Sequence, residues 1–291
     1  MVYKTTSARA NSSSIIKPAE LIDFVELTPL KLMDRRIYNL MLAQAWDTIS
    51  EDKEHVILKS DLLGNSNASN RLDPSIGRLM SSRVRIKIKR EGEEYTRSFQ
   101  LLEHVDEAVK PDGKVYYKFP AKLRVLIQDS TVFARLQKDV MFQLSSKYAL
   151  CLWEMISKRQ NLDYKWSEKF EIAQLRSLLG IPNGKLNLFR NLKARAILPA
   201  VQEVDFLSDY NVRFKVNKQG RTPIAITLSW HRKSIEDLKK AMKAHPDRGG
   251  TPQAFQQISI AFTLLQKKLK ERENNHSHNE LRDTARDYYT C

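Results

Sequence analysis

The spacing of apolar positions changes along the chain, and the changes mark its elements. After Leu27, Thr28-Pro29 reads as a helix start with proline at the first position. Leu30, Met33, Ile37, Leu40 and Met41 then recur at helical spacing up to Trp46. A short helix is expected over Ser60–Gly64. Asp73-Pro74 opens another through Ile76, Leu79 and Met80, with Arg78 outward and Arg71 just before it. The period then falls to two. Val84, Ile86 and Ile88 alternate with Arg85, Lys87 and Lys89, the pattern of a half-buried strand. Glu91-Gly92-Glu93 makes the turn, Tyr95–Leu102 returns, and Val115–Phe119 reads as a third strand. Helices followed by a hairpin predict a winged helix over residues 21–140. The outward cations Arg83, Arg85, Lys87 and Lys89 suit phosphate, and suit equally an edge strand protected by charge. The acidic tip of Glu91, Glu93 and Glu94 argues against entry into a DNA groove and fits a dimer or regulatory surface.

A second unit, residues 141–233, opens with Ser145 as an N-cap. Tyr148, Leu150, Cys151, Leu152, Trp153, Met155 and Ile156 form a strongly apolar helix ending at Lys158-Arg159, its aromatic residues read as core. A loop near Gln160–Asp163 precedes a strand at Tyr164–Trp166. Ile172, Leu175, Leu178 and Leu179 share one helical face. Gly180 stops that helix as a left-handed cap, and Ile181-Pro182 makes the turn. Asn183 caps the next helix, Gly184 to Ile197. Leu188, Phe189, Leu192 and Ala196 face inward. Lys185, Asn187, Arg190, Asn191, Lys193 and Arg195 face outward, the donor types that read base edges and phosphates. A plain amphipathic helix with a solvated basic face would carry the same residues. Pro199 opens a short helix ending near Leu207. Strands at Asn211–Val216 and Thr222–Ser229 then enclose a tip bearing Lys218 and Arg221. This order of elements outlines a winged helix and favours DNA as the ligand.

The chain has 291 residues and a net charge of +15, which calls for a polyanionic partner. A ribosome or a membrane surface would also answer that charge. No run of about twenty apolar residues occurs, so no membrane span is expected. Residues 1–20 are polar and Ser-rich, and are expected to form a disordered arm rather than a secretory signal. The two cysteines, Cys151 and Cys291, give neither a disulfide framework nor zinc spacing, which fits a reducing cytoplasm. No phosphate-binding glycine loop is present. His276-Ser277-His278 and Tyr288-Tyr289 imitate a rolling-circle nuclease only superficially. His55, His104 and His231 read as structural or solvated. Neither enzymatic activity nor a cofactor is expected.

Ser234-Ile235-Glu236-Asp237 is a capping-box pattern. A basic helix follows, with Lys239 and Lys240 outward, then His245-Pro246-Asp247, then a helix carrying Phe255, Ile258, Ala261 and Phe262. This hairpin, residues 234–272, resembles part of the J-domain of Hsp70 co-chaperones, without that domain's first helix. The resemblance implies an Hsp70 contact through His245, Pro246 and Asp247, supported by Lys239 and Lys240. Residues 273–291 read as a flexible polar tail.

Three separated stretches resemble the iteron-binding plasmid replication initiators. They are Leu27-Thr-Pro-Leu-Lys-Leu-Met-Asp-Arg-Arg-Ile-Tyr-Asn-Leu, Leu144-Ser-Ser-Lys-Tyr-Ala-Leu-Cys-Leu-Trp-Glu, and Leu178-Leu-Gly-Ile with Phe189 to Glu203. The resemblance spans about residues 20 to 233. It implies an α+β fold of two tandem winged-helix domains, here followed by the helical J-domain-like hairpin. It further implies a bacterial cytoplasmic protein that binds direct repeats at a plasmid origin as a monomer and represses its own promoter as a dimer. Host replication factors would be its other partners. The second domain would make the main base contacts, and the first would dimerise and touch DNA more weakly. On helix geometry Arg190, Lys193 and Arg195 are the expected readers, beside Lys185, Asn187 and Asn191. Lys218 and Arg221 would hold backbone, with Arg78 and Arg83 in the first domain. A winged-helix repressor without an initiation role, and an Hsp70 adaptor with incidental DNA binding, are the alternatives.

Overall fold

A computed structural model describes residues 4–9, 11–63, 72–110, 113–160, 166–234 and 236–237, with single positions at 266 and 270. Strand β1 (Ser14–Pro18) is wholly buried and pairs antiparallel with β8 (Phe133–Gln137). The disordered arm expected over residues 1–20 is therefore corrected at residues 14–18, which form an ordered strand; residues 1–3 and 10 lie outside the described residues. Ile15 and Ile16, adjacent and fully buried, supply its apolar contact on both faces. β2 (Val25–Glu26) leads to α1 (Leu32–Ala45), which starts later than Thr28-Pro29 suggested. The Lys31 backbone N–H at its start donates to the Asp34 carboxylate at 2.7 Å.

After β3 (His55–Leu58), α2 (Lys59–Leu63) and α3 (Leu72–Ser81) come the strands of the first wing, β4 (Arg83–Arg90) and β5 (Glu93–Gln100). Glu91 and Gly92 both have positive φ, 54° and 85°, the sign pattern of a type I′ hairpin turn. The expected alternation holds: Val84 and Ile86 are buried, while Arg83, Arg85, Lys87 and Lys89 are exposed. This sheet runs β2-β4-β5. The third strand, β7 (Lys114–Lys118), does not join it. With β6 (His104–Glu107) it forms a separate sheet, β3-β7-β6. Buried Tyr117 lies edge-on to Phe119 and against His55, so its inward face is spent in that second layer. α4 (Ala121–Asp129) and α5 (Lys138–Gln143) flank β8.

The centre of the molecule is α6 (Lys147–Gln160), buried at every residue from Ala149 to Arg159. It packs on β8 and α1 from one side and on elements of the second winged helix from the other. Its cap is Ser146 rather than Ser145: the Ser146 hydroxyl accepts the Ala149 N–H at 3.0 Å, and the Glu203 carboxylate accepts the Ser145 N–H. Burial pushes the Cys151 thiol up to about 11, so it is inert at neutral pH. Buried Glu154 accepts two bonds from Lys17 Nζ, each 2.9 Å, and a third from Asn39 at 2.8 Å, with Arg35 at 3.6 Å.

The second winged helix comprises β9 (Ser167–Glu171), α7 (Ile172–Leu178), α8 (Phe189–Leu192), α9 (Leu198–Leu207), β10 (Tyr210–Gln219) and β11 (Thr222–Arg232). Its sheet runs β10-β11-β9. Trp166, where a strand was expected, lies just outside β9. Beyond it the Ser234 capping box forms, the Asp237 N–H donating to the Ser234 hydroxyl at 3.0 Å. Lys239, Lys240, His245, Pro246 and Asp247, like His276, His278, Tyr288 and Tyr289, lie outside the described residues. No helix among the described residues is long and apolar enough to cross a membrane.

Candidate nucleic-acid interface

The α7 helix ends as its sequence dictates. Gly180 sits at φ 62°, its N–H bonds the Ser177 carbonyl at 3.0 Å, and the Ile181 N–H bonds the Arg176 carbonyl at 3.0 Å. These two bonds define a Schellman cap. A Cβ at Gly180 would also meet the Glu26 carboxylate oxygen at 2.6 Å. Gly180→Ala is therefore expected to cost at least about 1 kcal/mol from the left-handed φ alone. A lowered urea midpoint at unchanged slope checks this.

The next helix begins at Phe189, not at Gly184. Gly184 at φ 78° and Leu186 at φ 52° cannot propagate a helix. The loop is held from α7, where the Arg176 guanidinium donates to the Leu186 and Lys185 carbonyls at 2.7 and 2.6 Å. Lys185 and Asn187 are thus exposed loop residues rather than part of a helical face. Leu188, expected inward, stands at the helix entry and is 57% exposed. Arg176 is a positioning residue that the sequence reading missed. Its only local signal was a cation on the polar side of the preceding helix.

Beyond Leu192 the helix continues without a break. Proline lacks an N–H, and the Pro199 ring would press on the carbonyl four residues back, that of Arg195. The five-residue π turn Lys193–Ile197 widens the helix where that carbonyl lies. α8, the π turn and α9 therefore form one rod, and the short separate helix expected at Pro199 is corrected. Leu192, Ala196 and Ile197 are buried, which turns Arg190, Lys193 and Arg195 outward into solvent. None of the three has an ion-pair partner among the described residues. Asn191 is half-buried beside them.

In the second wing, β10 and β11 run longer than predicted and the turn shrinks to Gly220-Arg221. Gly220 has φ 58° and Arg221 does not have positive φ, the sign pattern of a type II′ turn. Lys218 lies in β10, just past a register shift after Asn217 that leaves Ile224 of β11 as the extra residue, and both Lys218 and Arg221 are exposed. Lys215 and Lys169 flank Thr227 across the sheet and are exposed as well, adding cations that the sequence reading passed over.

The first domain's candidates divide. Arg83 is exposed at the start of β4, its backbone tied to Leu27 and Thr28. Arg78, expected to face outward, forks onto buried Asp34 with two bonds of 2.8 Å and also reaches Ser75 at 3.0 Å. That carboxylate would otherwise be a buried charge without a cation, so Arg78 belongs to the α1–α3 packing. No group of three or more His, Cys, Asp or Glu that could hold a metal occurs among the described residues.

Two family descriptions match the chain in this order. "Initiator Replication protein, WH1" matches residues 14–157, and "Initiator Rep protein, WH2" matches residues 171–230. Together they cover more than half of the chain. The chain belongs to the initiator replication protein family. In this initiator the first match extends through most of α6, which the sequence reading had assigned to the second domain. Among solved structures, the Pi initiator protein, in a crystal structure with iteron DNA, is 17% identical with a TM-score of 0.53. That alignment covers 78% of this initiator and 100% of the Pi chain, and shows a shared fold. The WH1 domain of the MSBI1.176 replication protein aligns over 34% of this chain and 82% of its own, at 17% identity and a TM-score of 0.27. No curated protein sequence matches the initiator.

Proposed function

We propose that this DNA-binding replication initiator acts on a plasmid origin, reading direct repeats with the Phe189–Leu207 rod in the major groove and the Lys218–Arg221 wing on the flanking backbone. The observation that carries this is the outward row of Arg190, Lys193 and Arg195 on a helix entered through the Arg176-held loop. Three cations without carboxylate partners among the described residues are placed to exchange their counterions for phosphates and base acceptors. The fold shared with a protein crystallised on iteron DNA supports the same assignment. Binding energy then does the work: neutralised phosphates, base readout and strained DNA prepare the origin for host factors. Footprinting on the DNA flanking the gene, across a salt series, tests it. Evenly spaced protection over direct repeats, weakening steeply with salt, is expected. Protection of one inverted repeat alone would instead indicate a repressor.

The first domain carries a surface suited to self-association. Val56, Leu58 and Tyr116 are 40, 42 and 41% exposed on the β3-β7-β6 sheet, and Val56 and Tyr116 are direct cross-strand partners. A contiguous apolar sheet face of this kind is costly in water and suits a second copy of the same face. Val56→Glu is expected to shift a dimer to monomer in sedimentation, with repeat binding retained.

A further inference from the structure

We propose that Glu26 is a positioning residue that fixes the turn before the reading helix to the wing of the first domain, and so sets the distance between the two DNA contacts. This rests on the DNA-binding reading above, with the exposed Arg83, Arg85, Lys87 and Lys89 along β4, rather than the acidic wing tip, as the first domain's contact to phosphate. Glu26 lies in β2, paired with Val84 of β4, while its neighbour Val25 pairs with Arg85. It is thus built into the sheet that carries the exposed Arg85 and Lys87.

Its carboxylate is 3% exposed and fully used. One oxygen accepts Arg35 Nε at 2.9 Å. The other accepts the Leu30 N–H at 2.9 Å and Lys147 Nζ at 2.9 Å. The same Lys147 ammonium donates to the Gly180 carbonyl, in the cap that ends α7. Gly180 allows this approach because it has no side chain; a Cβ there would overlap the Glu26 carboxylate. From Gly180 the order passes to Arg176, whose guanidinium holds Lys185 and Leu186 in the loop that enters the reading helix. A continuous line of buried or backbone-directed bonds therefore joins the first wing to the reading loop. Buried charge-assisted bonds hold geometry more tightly than solvated ones. A second tie runs alongside, where Asp23 meets Lys158 and Arg159, and Arg159 meets Glu168 of β9 at 2.7 Å. Of these two ties, the Glu26 line is the one that ends at the reading turn.

Two sites joined rigidly gain affinity only at the spacing their joint allows, whereas a loose joint tolerates many spacings at lower gain. Full-length Glu26→Gln and Lys147→Met are the test variants. Lys147→Met leaves the Glu26–Arg35 pair in place and keeps the test open if Glu26→Gln fails to fold. Nitroxide labels go on Glu93→Cys and Gln219→Cys, at the two wing tips, with Cys291 changed to Ser; buried Cys151 stays unlabelled. Electron–electron resonance on the free protein should give a narrow tip-to-tip distance in the parent and a broadened one in both variants.

On repeat DNA with base pairs inserted between the two protected segments, the parent should lose on the order of 10²-fold in affinity, and the variants less than roughly tenfold. A narrow distance in folded Lys147→Met would overturn the role of Glu26, as would a broadened distance with the parent's spacing dependence. If the parent protects no repeat DNA, the DNA-binding reading fails, and with it the spacing role. The label distances would still decide separately whether Glu26 holds the two domains together.

Discussion

Replacing Glu154 by Gln is expected to lower the free energy of unfolding by about 3–5 kcal/mol, the usual cost of removing one partner from a buried ion pair. The amide keeps the shape of the side chain and removes its charge. Lys17 and Arg35, each 1% exposed at the side chain, would then face one another across an uncharged group. Neither can swing out to water, because β1 packs on β8 and α1, and both of these pack on α6. Urea unfolding with an unchanged slope measures the loss directly. A loss below about 1 kcal/mol would mean that water reaches Lys17 and that the pair is effectively solvated.

The second large effect concerns DNA. Alanine at Arg190, Lys193 and Arg195 together is expected to weaken repeat binding by about 3–6 kcal/mol, taking about 1–3 kcal/mol for each base-reading arginine and a smaller share for the lysine. Binding to random DNA should fall less, and the salt slope should shrink with each lost phosphate contact. Alanine at Lys218 and Arg221 should instead weaken all sequences alike. Titrations of repeat and random duplexes at several salt concentrations separate the two behaviours. Unchanged specificity in the triple variant would remove the Phe189–Leu207 rod as the reader.

What the sequence made legible was local. The Val84–Lys89 alternation needs only its own strand, and Gly180 needs only its own backbone, so both were predicted as found. What it concealed depends on distant partners. β1 looked like a polar arm because the strand it pairs with, Phe133–Gln137, is far along the chain. β7 looked like part of the nearest hairpin, yet its partner is β3. Arg78 looked like an outward cation because nothing nearby in sequence announces Asp34. Gly184–Asn187 looked helical because the bonds that bend it come from Arg176 on the preceding helix. Pro199 looked like a break because proline usually is one; a π turn absorbs it here. Within the site, the residue types and the outward phase of Arg190, Lys193 and Arg195 were legible, and the start of their helix was not.

The pairing of β1 with β8 sets an order on synthesis. During translation, residues 14–18, with Ile15 and Ile16, leave the ribosome before their strand partner, Phe133–Gln137, has been made, and before α6, made later still, which carries the Glu154 partner of Lys17. Closing so long a loop is slow, and an unpaired apolar strand is prone to wrong pairing while it waits. The first domain therefore cannot complete its core until the chain has been made through α6, when Lys17 at last meets Glu154.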